Sequence, residues 1–239
     1  MFAPLKITFR LNTPVVATGY PIHLDAIVAY AVTRREIGSV DFGDVNDMTI
    51  RELSARLPLA SCNHESGMVW KASALVCNQP GGQSVRMWTR KTNPYDYAER
   101  VMSGQTEIST RTRNLLEKGE KYVGAIDTQR GLLKNQFEFY SVKEMPTLEA
   151  WCVGDIDELE SLLAPEAGLI THIGKRGRAG HGRVVSVVIE PCDEAELLWK
   201  NRVLPWRESD DYEPLVAAIR PPYWAIENRV LGYCPKNLI

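Results

Sequence analysis

Apolar and polar residues alternate with period two along Leu5-Lys-Ile-Thr-Phe-Arg-Leu11, the pattern of a strand with one covered face. Asn12-Thr-Pro14 and Gly19-Tyr-Pro21 break it, and from Ile22 to Glu36 the period changes. Leu24, Ile27, Val28 and Ala31 fall at helical spacing, with Arg34 and Arg35 at the end where a helix dipole favours cations. Residues 38–68 are polar and predict a linker or partly ordered insertion, with a short helix around Met48 to Leu57. Two strands follow at Val69–Val76 and Val85–Arg90, separated by the turn-forming Asn78-Gln-Pro-Gly-Gly-Gln83. Phe137–Val142 and Thr147–Val153 read as further strands. Asp155 is placed to cap an amphipathic helix over Ile156–Leu163, and Val184–Ile189 is a last β-branched run.

A strand, a helix, several strands, a helix and a final strand make an α+β order of the RRM-like or ferredoxin-like kind. The reading divides the chain into a core over 1–190, stretched by an insertion at 38–135, and a C-terminal extension over 191–239. Trp199, Trp206 and Trp224 stand among prolines and acids in that extension, a composition that predicts an extended tail packed on the core.

Charge narrows the function classes. With 28 Lys and Arg against 30 Asp and Glu, the net charge is -2, so the whole molecule is no polycation and any anion-binding role needs a local patch. Five scattered cysteines without a C-x-x-C pair suit a reducing compartment. Neither a signal-peptide pattern nor an apolar run of membrane-spanning length is present, and a soluble cytoplasmic protein without a membrane partner is the expectation.

The densest local patch is His172-Ile-Gly-Lys-Arg-Gly-Arg-Ala-Gly-His-Gly-Arg183: four glycines, four cations, two histidines and no acid, directly before a strand. A Walker loop needs G-x-x-x-x-G-K-[ST] and a dinucleotide loop must open a helix, so neither fits. Two readings stay open. Backbone N–H groups with Lys175, Arg176, Arg178 and Arg183 suit a phosphate chain, and a solvated hairpin loop suits the same composition. His172 and His181 have the chemistry for general acid–base attack by a ribose 2′-OH, alongside structural or RNA-contacting roles. His23 opens the first helix, where a neutral ring caps or stacks as readily as it catalyses. Trp88 between Arg86 and Arg90 offers a stacking surface with flanking phosphate contacts, or a core side chain. Cys62, His64 and Cys77 lack a zinc spacing and a fourth ligand, so no metal and no cofactor is expected. The acids Asp155, Asp157 and Glu158 read as a helix N-terminus.

Ile22-His-Leu-Asp-Ala-Ile-Val-Ala-Tyr-Ala31 after an N-terminal strand, Asp127-Thr-Gln-Arg-Gly-Leu-Leu-Lys134, Cys152-Val-Gly-Asp155 and the glycine loop together resemble a RAMP protein of CRISPR effector complexes. More narrowly the chain resembles the type IV subunit called Csf-three, the counterpart of the Cas-five family, over roughly residues 3 to 190, and Arg220-Pro-Pro-Tyr-Trp224 adds to the likeness. The resemblance implies an RRM-like fold whose loop and basic face hold the 5′ handle of the CRISPR RNA and cap one end of a backbone filament. It implies a binder with no catalytic residue. Its partners would be the RNA, the filament-forming subunit and a large subunit. Gly174, Lys175, Arg176, Gly180, Gly182 and Arg183 match the family loop, and Arg130 and Lys134 match the basic turn before it. His181 stands where the family often has an aromatic residue. The rival reading is a metal-independent endoribonuclease using His23, His172 or His181, as some RAMP relatives are.

Overall fold

The computed structural model describes residues 1–16, 19–38, 45–105, 128–129 and 134–238. In chain order the first half holds β1 (Phe2–Leu11), β2 (Val15–Val16), α1 (Leu24–Ile37), α2 (Asp47–Ser54), β3 (Ser61–His64), β4 (Gly67–Trp70), β5 (Gln83–Arg90) and α3 (Pro94–Met102). The second half holds β6 (Gln136–Lys143), β7 (Thr147–Asp155), α4 (Ile156–Leu163), β8 (Val184–Pro191), α5 (Ala195–Leu198), β9 (Tyr212–Ala218) and β10 (Arg229–Pro235). The class is α+β, with small antiparallel sheets. Contacts divide the chain into two compact units, Met1–Ser84 with Val142–Ile239, and Val85–Ser141.

In the first unit β1 lies between β7 and β8, antiparallel to both. The alternation read in the sequence sets its faces. Leu5, Ile7, Phe9 and Leu11 are buried, and Ile7 stands opposite Ala150 and Ile189 while Phe9 stands opposite Leu148 and Val187. Over this face pack Leu24, Ile27, Val28 and Ala31 of α1 and Leu159, Leu162 and Leu163 of α4, which close the main core. Asp155 caps α4 as its sequence position predicts, accepting from the Glu158 N–H.

The outer edge of β7 is met by residues 71–76, where a full strand was expected. These residues form isolated bridges (Ala72 to Cys152, Val76 to Glu149) because their backbone groups divide between partners. The Ser73 hydroxyl takes the Trp151 N–H at 2.9 Å, the Ala74 N–H turns to Asn201 O and the Leu75 N–H to Ile22 O, each at 2.8 Å. Of the stretch 38–68 expected to be a linker or partly ordered insertion, residues 45–68 hold α2, β3 and the start of β4, which pairs with β3 in a hairpin. The short helix expected around Met48 to Leu57 forms as α2, and Asn46 caps it by accepting the Met48 N–H at 2.9 Å.

After β8 the chain is more than an extended tail. It forms α5 and an antiparallel β9–β10 hairpin, which with Val69 and Val153 encloses a second core of Trp199, Val203, Leu204, Ile219 and Cys234. Arg202 fastens this region to α1. The side chain is fully buried. Nη1 donates to Trp70 O and Ala72 O at 2.8 Å each, and Nη2 to Ile219 O at 2.6 Å and to Asp25 Oδ2 at 3.1 Å. The Tyr223 hydroxyl donates to the other Asp25 oxygen at 2.7 Å. Burial pushes the Asp25 carboxyl up, against the pull of Arg202, and the guanidinium remains charged.

The second unit contains most of β5 and β6, neighbours in one sheet, with α3 in the connection. Asn93 caps α3 by accepting the Tyr95 N–H at 3.1 Å, with Pro94 in its first turn. Val85, Met87, Phe137 and Phe139 are exposed, the two phenylalanines meeting edge to face at 5.0 Å.

Candidate functional site

The glycine loop is held by its own backbone and by the turn after β1. His172 bridges Arg183 and Lys175 bridges Val16, so both ends of the loop are tied down. The Ile173 N–H donates to Gly182 O at 2.8 Å, the Gly182 N–H to Pro14 O at 2.9 Å, and the Arg183 N–H to Thr13 Oγ1 at 2.8 Å. Between these ties a single 3-10 turn over Gly177–Ala179 is flanked by left-handed Arg176 (φ 62°) and Gly180 (φ 85°).

At Gly182 the glycine is required for two reasons. Its φ is +66°, and a Cβ there would stand 1.9 Å from the carbonyl oxygen of Ile173, the residue whose N–H donates to Gly182 O. Gly180 shares the positive φ but has open space where a Cβ would go.

This packing changes how the loop can hold an anion. The N–H groups of Ile173, Ala179, Gly180 and Gly182 are spent on carbonyls of the loop or of Pro14. Those four N–H groups are therefore not available to an anion, and the cationic side chains carry much of the loop's capacity. Lys175, Arg178 and Arg183 are exposed, and Arg176 and His181 are half-buried. His172 hydrogen-bonds with Thr171 Oγ1 at 2.9 Å, and its Cβ lies against Gly177.

Two further cations stand next to this loop. Arg10 is exposed, and it precedes Leu11, the strand partner of Val184, while the Asn12 N–H donates to Arg183 O. Lys143 pairs with Val15, and Val15 touches Gly174. The period-two pattern of β1 puts Arg10 on the face away from the core, so that residue was legible; Lys143 depends on the β2–β6 pairing and was not.

The other predicted positions belong to other elements. Arg86, Trp88 and Arg90 lie on β5 in the second unit, the arginines exposed and Trp88 half-buried. Lys134 is exposed and Arg130 lies outside the described residues. His23 is inside the protein, 4% exposed, its ring stacked on Tyr223 at 5.2 Å and 9°. Its Nε2 accepts the Val203 N–H at 3.2 Å, and burial with the nearby Arg202 charge holds its pKa well below the usual value. A neutral, enclosed ring with a donor on Nε2 is a structural group and presents nothing to an RNA. His64 packs against Trp206 with the rings tilted by 32° and their centroids 4.6 Å apart. Among the described residues no group of three His, Cys, Asp or Glu is arranged around a common point, and no helix is long and apolar enough to cross a membrane.

The glycine loop, tied to the turn after β1 and leading into β8, lies within the stretch that the family comparison covers. The family model described as CRISPR type IV associated protein Csf3 matches residues 3–235. The chain belongs to this Csf3 family. The match runs from β1 to the end of β10, so the C-terminal hairpin is part of the family domain together with the central sheet. No curated protein matches the chain. Family membership gives the protein a role associated with type IV CRISPR systems.

Proposed function

We propose that this Csf3-family protein is a non-catalytic RNA-binding subunit of a type IV CRISPR effector complex. It holds the 5′ handle of the guide RNA on the glycine loop and caps the filament formed by the backbone subunit, in reach of a large subunit. The observation that carries the reading is the loop itself: a backbone fixed by its own hydrogen bonds presents Lys175, Arg178 and Arg183 to solvent with no acid in the loop. Arg10 and Lys143 extend that surface. Fixed cations along a rigid loop suit the phosphates of a single strand, whose binding is driven by counterion release.

A ferredoxin-like core is the fold reading that goes with this. The succession β1, α1, residues 71–76, β7, α4, β8 and the lateral order 71–76, β7, β1, β8 support it. The loop then precedes the last strand of the repeat, at the edge of the sheet. We place the protein in the cytoplasm, where a guide RNA is held.

The test is a gel with purified full-length protein and a labelled repeat RNA in EDTA, read for retardation and for cleavage. Retardation of intact RNA is the expected result. Cleavage in EDTA that a His172 or His181 substitution abolishes would replace the binder by a metal-independent endoribonuclease. An unshifted repeat RNA in the presence of the filament subunit would overturn the reading.

A further inference from the structure

We infer that the free edge of β8 is a docking site for an extended, basic segment of a partner protein, which adds to the central sheet as a further strand. The inference is independent of RNA binding. β8 pairs with β1 on one side and is the last strand of its sheet. The Cys192 N–H bonds to Pro4 O at 2.9 Å, and from that bond the alternation of an antiparallel ladder assigns Glu190, Val188 and Ser186 to β1. Val187 and Ile189 therefore turn their N–H and C=O groups outward, and among the described residues nothing pairs with them.

Proteins blunt such edges with lysines, prolines, short strands or a covering loop. Here the strand runs eight residues as Val-Val-Ser-Val-Val-Ile-Glu-Pro, with Val185 47% and Val188 45% exposed. A groove of about 370 Å³ lies along this edge, between α4 and β8, lined by Val185, Val187, Ile189, Ala164, Glu160 and Glu166. Its apolar floor and unpaired backbone suit an incoming strand, since main-chain bonds supply affinity and alternate side chains enter pockets. The two flanking glutamates select its charge. A second copy of this chain paired edge to edge would bring two pairs of carboxylates to the same groove, whereas a segment carrying Lys or Arg meets them with opposite charge.

The probe is a capped peptide alternating Lys and Val, matched to the eight residues of β8, with a Glu and Val peptide as control. The readout is amide hydrogen exchange of β8 in the full-length protein, with sedimentation of the same sample. At about ten times its Kd the Lys peptide should slow exchange at Val187 and Ile189 about tenfold, and the Glu peptide should leave it unchanged. In Glu160→Lys/Glu166→Lys, both exposed positions, the preference should reverse. Equal effects of the two peptides, protection by neither, or a dimer in which β8 is already protected would each overturn the inference.

Discussion

Replacing Gly182 and Gly180 by alanine separates two properties that glycine brings to the loop. Both have positive φ, so each alanine carries a left-handed conformation costing about 1–2 kcal/mol. Gly180→Ala has only that penalty, because its Cβ enters open space. In Gly182→Ala the Cβ would stand 1.9 Å from the Ile173 oxygen, so the backbone must move and the bonds from Ile173 N–H to Gly182 O and from Gly182 N–H to Pro14 O are lost or lengthened. At about 0.5–1.5 kcal/mol per bond the second variant is less stable than the first by about 1–3 kcal/mol, or roughly 2–12 °C in Tm. Urea and thermal unfolding of the full-length protein measure the difference directly. RNA affinity should follow it, falling in Gly182→Ala and changing little in Gly180→Ala. Equal stability of the two alanines would refute the idea that this loop is locked by its backbone.

Other predictions address the buried network and the thiols. Arg202→Met leaves Asp25 without its counter-charge and the carbonyls of Trp70, Ala72 and Ile219 without this donor, and should cost about 3–5 kcal/mol in urea unfolding, with Asp25→Asn in the same chain restoring part of it. His23, enclosed with Arg202, Asp25 and Tyr223, has a folded pKa below its ordinary 6.5, so the unfolded chain takes up its proton first and stability is lost as pH falls through that value. From pH 7.5 to 5.5 that loss is on the order of 1 kcal/mol, and His23→Gln should remove it from the stability–pH curve. Raised to about 12 and about 11 by burial, the Cys152 and Cys234 thiols should label slowly with a disulfide reagent at pH 8, after the partly exposed Cys62, Cys77 and Cys192.

The hydrophobic pattern carried the central sheet and its two helices because each of those elements buries one face over enough residues for a period to show. Leu5, Ile7 and Phe9 are core on that pattern alone, as are Leu159, Leu162 and Leu163. Residues 71–76 read as part of a strand ending at the turn-forming Asn78–Gln83, yet Ser73, Ala74 and Leu75 send their hydrogen bonds to three separate segments, and such long-range partners leave no local trace. The same holds for Arg202. A lone arginine before Val203 looks like surface, and only the fold reveals that Asp25, on the buried side of α1, is its counter-charge. His23 stood at a helix start, where capping, stacking and catalysis share one signature; Tyr223, 200 positions later in the chain, decides for stacking. The loop was legible as a cationic, glycine-rich patch. That the Gly182 and Arg183 N–H groups are taken by the turn after β1 was not, because Pro14 and Thr13 reach the loop from the far end of β1.

The salt dependence of RNA binding tests the central claim most directly. Full-length protein is titrated into a labelled repeat RNA at several salt concentrations, beside a variant in which Lys175, Arg178 and Arg183 are replaced by Gln. If these three cations hold single-strand phosphates, the slope of log K against log salt should flatten by about 2 in the variant and affinity at low salt should fall steeply. An unchanged slope with unchanged affinity would mean that the loop touches no phosphate, and the RNA-binding assignment of this surface would fail.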